Sequence, residues 1–230
     1  KEFFDRGWVH TADPDLNDIY QTALYHLKCY TTKWSIPVGL NNVSWEGKFF
    51  AFDEYYSALA LMGANQLELA RRVPDFRREV CLDKAIFRVS ANFKPEMARF
   101  CWETGEYGTE LSPPGHWYDH IFQMSVVALG AFECYEHMGD LEYLRKNYRM
   151  IRACAMFFTN HMLTEDREGR LIVGKCTDLE RLGPSVENPF MTSCGVISTL
   201  EILAESARLL DVDPEYRAQC LDAARRLRES

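Results

Sequence analysis

The stretch 119–144, DHIFQMSVVALGAFECYEHMGDLEYL, decides the fold. From His116 to Met138 apolar side chains recur at helical spacing, which predicts a helix. Gly139 suits the left-handed residue that ends a helix, and Asp140 suits the cap that opens another, running to about Leu163. Two long helices with so short a join must fold back on each other as a hairpin.

The rest of the chain repeats this pattern. Asp13-Pro14 reads as a cap followed by proline at the first helical position, opening a helix to about Thr32. Further helices are expected at Asp53–Ala64, Gln66–Arg72, Pro74–Phe93, Pro189–Leu210 and Pro214–Arg228. Residues 165–175, EDREGRLIVGK, read as a turn with a short strand around Leu171–Val173. The fold class is therefore all-α, made of helical hairpins, with a minor β-hairpin.

Composition narrows the function. With 230 residues, 47% hydrophobic and 13% aromatic, the chain can bury a sizeable core. A net charge of −8 argues against nucleic acid, which needs a basic face. No apolar run approaches the ~20 residues that span a bilayer. The eight cysteines are scattered without a CxxC pair, which fits reduced thiols in a cytoplasmic protein. No P-loop, GxGxxG or HExxH motif occurs, so no cofactor is expected. His116 and His120 share a predicted helical face, yet His120 fits a polar rim or a core hydrogen bond better than a metal.

The connections alternate. Short ones fall at 139–140 and 211–213, and long ones at 33–52, 94–115 and 164–188, which places the long loops together at one end. Trp34, Trp45, Trp102 and Trp117 lie in or beside them. Aromatic rings and carboxylates on one rim suit a sugar-binding cleft. Glycosidic cleavage needs two carboxyl groups, one protonated and one ionised. The acidic loop residues include Glu46, Asp53, Glu54, Glu103, Glu106, Glu110, Asp178, Glu180 and Glu187. Asp53 and Glu54 also suit plain charges at a helix N-terminus, and Glu187 suits a cap for the helix after Pro189.

The order of these motifs resembles the catalytic domain of six-hairpin glycosidases, particularly the family of maltose, kojibiose and trehalose phosphorylases. The similarity runs through WEGKFFAFDEYY (45–56), PDFRREVCLDKA (74–85), ARFCWETGEYGTE (98–110), the stretch quoted first, and ENPFMTSCGVISTLEILAESARLL (187–210). It covers nearly the whole chain; each motif is weak alone, and their order is what is specific. The resemblance implies an (α/α) toroid, of which residues 1–230 form the N-terminal part of a longer catalytic domain. It implies a carbohydrate substrate held by Phe52, Asp53, Glu54, Trp102, Glu103 and His120, and the rim residues Trp45 and Asp178 are expected to converge on the same cleft. The family's general acid sits in a GPDEYHE loop, whereas this chain has TDLERLGPSVENPFMT (177–192). PSVENPF also resembles the acid-bearing loop of a related α-fucosidase family. Glu187 is thus the expected acid, with Glu180 as runner-up, and burial beside Phe190 and Met191 would raise its pKa. The implied reaction is hydrolysis or phosphorolysis of an α-glycosidic bond with inversion. The rival readings are a sugar-binding relative without catalysis and an α-hairpin protein-interaction scaffold, although no fixed repeat period supports the latter.

Overall fold

A computed structural model describes residues 2–38, 45, 47–91, 94–178 and 182–230. In chain order the elements are α1 (Glu2–Asp5), α2 (Pro14–Tyr30), β1 (Lys48–Phe50), α3 (Ala51–Gly63), α4 (Leu67–Ala70), α5 (Arg72–Phe76) and α6 (Leu82–Ser90). There follow β2 (Glu103–Gly105), α7 (Gln123–Met138), α8 (Leu141–Phe157), β3 (Leu163–Glu165), β4 (Leu171–Val173), β5 (Cys176–Asp178), β6 (Leu182–Val186), α9 (Phe190–Leu210) and α10 (Pro214–Arg228). The protein is all-α with three small antiparallel two-stranded ribbons among the described residues, β1–β2, β3–β4 and β5–β6.

Local chemistry sets the helix ends. Asp13 accepts hydrogen bonds from the backbone N–H of Asp15 and Leu16, and Pro14 occupies the first turn of α2. Gly139 takes a left-handed conformation, φ 66°, which closes α7, and the Asp140 carboxylate accepts from the Glu142 N–H to open α8. Helix α9 packs against α7, α8 and α10. A Cβ on Gly195 would stand 2.7 Å from the Ser125 hydroxyl, so glycine permits the close approach of α9 to α7. The main core joins Leu144, Met150, Ile151 and Phe157 of α8 to Val196, Leu200 and Leu203 of α9 and to Cys220 and Leu227 of α10.

Three expectations need correction. The helix predicted from His116 begins at Gln123; His116–Asp119 form only a 3₁₀ turn, and His120 is extended. Tertiary bonds hold that segment out of the helix. Thr177 donates to the His116 carbonyl at 3.2 Å, His120 bridges Thr177 in parallel, and the Gln123 amide donates to the Phe100 and His120 carbonyls. Pro74 does not start a helix: it lies inside α5, which continues through a π-helical turn, Arg77–Cys81, into α6. The long 164–188 loop holds two ribbons, β3–β4 near the expected hairpin and β5–β6.

The three long loops do meet. β1 pairs with β2, linking loop 33–52 to loop 94–115, and Thr177 ties loop 164–188 to the turn at His116.

Candidate functional site

A cavity of about 430 Å³ opens where these loops meet, lined by Val38, Trp45, Phe50, Phe52, Asp53, Trp102, Phe122 and Met191. Its volume lies in the range of small-molecule sites. Four predicted residues, Trp45, Phe52, Asp53 and Trp102, form part of its wall. β1 delivers Phe50, and the first turn of α3 then brings Phe52 and the exposed Asp53 beside it. Asp53 is the one acidic side chain in the wall among the described residues.

The aromatic wall interlocks. The Trp102 ring meets Phe50 and Phe122 edge-on, with centroids 5.5 and 5.4 Å away, and stacks on His120 at 4.6 Å and on Trp117 at 6.0 Å. Only 7% of Trp102 is exposed, against 42% of Trp45. Trp45 is therefore the ring with more surface to offer a ligand. His120 is fully buried behind Trp102 and backs that ring; it does not line the cavity.

The other carboxylates are placed differently from the expectation. Glu54 is buried away from the cavity, where its Oε2 accepts from both Nε and Nη2 of Arg77 and its Oε1 accepts from the Ser35 hydroxyl. Arg77 in turn donates to the Thr104 hydroxyl at 2.8 Å. Burial raises the Glu54 carboxyl above its ordinary range, and Arg77 and Ser35 offset part of that rise. Glu103 is 5% exposed and pairs with Lys48 at 2.5 Å. Asp178 is buried under the start of α9, accepting from the backbone N–H of Met191 and Thr192 at 3.1 Å and from the Thr192 hydroxyl at 2.8 Å. These three hold the walls from behind. Glu187 stands exposed on the bend after β6, and Phe190 is 83% exposed, so the expected apolar enclosure of Glu187 does not form. Glu180 and Glu46 lie outside the described residues.

No protein-family model matches the chain, and no curated protein matches its sequence. Solved structures match it in shape. They include a glycosidase with a Glu-to-Ala substitution at TM-score 0.68, another such variant in complex with glucose at 0.65, and a wild-type glycosidase at 0.65. Each is 15% identical and matches over 95% of this chain, which spans 58% of the length of those structures.

The fold is glycosidase-like.

In this glycosidase-like fold, four wall residues were not among the expected site residues: Val38, Phe50, Phe122 and Met191. Phe50, Phe122 and Met191 do sit inside the quoted stretches 45–56, 119–144 and 187–210, where an aromatic near a carboxylate was the available signal for the first two. Met191 is brought in by the Asp178 cap, a contact between residues 13 apart that no local pattern announces. Among the described residues, no helix is long and apolar enough to cross a membrane.

Proposed function

We propose that this chain forms the sugar-binding part of a glycoside-cleaving enzyme, a hydrolase or a phosphorylase acting on an α-glycosidic bond. The observation that carries the reading is Asp53 set in an otherwise aromatic and apolar cavity wall at the junction of the long loops. Rings can pack against the C–H faces of a pyranose, while a carboxylate accepts charge-assisted hydrogen bonds from its hydroxyls. The toroid architecture, with residues 1–230 as its N-terminal part, belongs to the same proposal.

Glu187 is the proposed general acid. It lies four residues before Met191 of the wall, on the bend that follows the β5–β6 ribbon, whose Asp178 anchors the start of α9. An acid there would protonate the leaving oxygen while a water or phosphate attacks from the opposite face with inversion. For attack by water, a second carboxylate must take the water's proton, roughly 6.5–9.5 Å from the acid; phosphate attack needs no such base.

The test is Glu187→Gln in the intact enzyme. Gln keeps the shape and loses the transferable proton, so cleavage of unactivated glycosides should slow by about 10²–10⁴-fold with little change in binding. Substrates whose leaving group needs no protonation should be largely spared. A silent Glu187→Gln beside an inactive Glu180→Gln would transfer the role to Glu180. Unchanged cleavage in both variants would place the acid elsewhere, and no cleavage by the wild type would leave a sugar-binding protein without catalysis.

A further inference from the structure

We propose that a second cleft, on the far side of the β1–β2 ribbon from the first cavity, is a separate carbohydrate-binding site. Its volume is about 450 Å³, and its walls include Trp34, Pro37, Phe49, Tyr107, Glu106 and Thr109. Phe49 and Phe50 are neighbours in β1, and consecutive strand side chains leave opposite faces. One lines the second cleft and the other the first, so the ribbon is a shared partition.

The ring of Tyr107 is 64% exposed, which alone would mean little. Its backbone, however, is pinned. Gly105 accepts from the Gly108 N–H at 2.8 Å, Arg88 donates to the Gly108 carbonyl at 2.9 Å, and Lys84 donates to the Tyr107 carbonyl. Gly108 has φ 71°, and a Cβ there would stand 2.8 Å from the Val80 carbonyl, so the turn is seated tightly on the π-helical turn below. An exposed aromatic carried on a pinned turn loses less entropy on binding than one on a loose loop. Trp34 lies in the same cleft with the Lys33 ammonium 4.3 Å over its ring, so Tyr107 supplies the open ring face and Glu106 and Thr109 the hydrogen-bonding groups, the combination that a sugar ring matches. The choice of carbohydrate rests on the functional reading of the first cavity.

The experiment is affinity electrophoresis of the intact protein in native gels containing soluble starch, xylan, mannan or galactan. The wild-type protein should be retarded by at least one polysaccharide. Tyr107→Ala should weaken that retardation by about threefold to tenfold, the range for losing one aromatic contact. Trp45→Ala should weaken binding separately, and the double variant should show the product of the two effects. Tyr107 is exposed, so its variant should melt with the wild type. Retention of Tyr107→Ala equal to the wild type, or no retardation by any polysaccharide, overturns the second site. Weakening by Tyr107→Ala with none by Trp45→Ala would keep it and count against the first cavity.

Discussion

The bundle and the loop end of this molecule solve burial differently. Where α8, α9 and α10 pack, the buried residues are mostly apolar or thiol, and the buried polar ones of these helices are uncharged: Asn147, Thr192, Thr199 and Ser206. Where the long loops meet, Glu54, Arg77, Glu103, His120 and Asp178 are all buried. On the proposed function, the difference follows from what each end holds. A helical core is stabilised by filling its centre. A cavity that has to admit a ligand cannot be filled, so its walls must be fixed from behind by directional bonds. Glu54 and Arg77 tie α3 to the loop at Ser35 and to β2 at Thr104, and Asp178 seats the start of α9.

Removing one partner of the buried pair should break this comparison most forcefully. Arg77→Met strands the Glu54 carboxylate in the interior, a change that typically costs about 3–5 kcal/mol. At this chain length that corresponds to a drop of roughly 10 °C in Tm, measurable by calorimetry. The double variant Glu54→Gln/Arg77→Met should recover much of that stability. If sugar binding stays impaired in the stable double variant, the pair positions the cavity wall; if binding returns with stability, its role is only to fold the chain.

A smaller effect is expected at the cap. Asp178→Ala removes the acceptor for two backbone N–H groups and a hydroxyl, which should cost about 2 kcal/mol. Hydrogen exchange should rise in the first turn of α9 while α8 and α10 keep their protection. A uniform rise across the bundle would mean that the two ends are not separable.

Sequence reading succeeded where the determinants are local. Asp13-Pro14, Gly139-Asp140 and Pro214 announced real helix boundaries, because caps and fixed φ angles act within a few residues. It failed where distant partners decide. The apolar pattern before Gln123 looked helical, yet Trp117 and His120 pack behind the cavity instead. Glu54 beside Asp53 looked like a second sugar ligand, yet Arg77, 23 residues away, claims it. The cavity's aromatic character and Asp53 were legible in the motif order. The supporting charges were not, since nothing in a single sequence marks which carboxylate has a buried partner.

The most direct test of the sugar-binding cavity is a titration of the wild-type protein and of Asp53→Ala with a panel of monosaccharides that includes glucose. Asp53 is exposed, so the variant should fold. The account predicts that at least one sugar binds the wild type and that Asp53→Ala weakens it by about tenfold or more, as the loss of hydrogen bonds to a charged group would. Equal affinity in the two proteins, or no binding of any sugar, would contradict it.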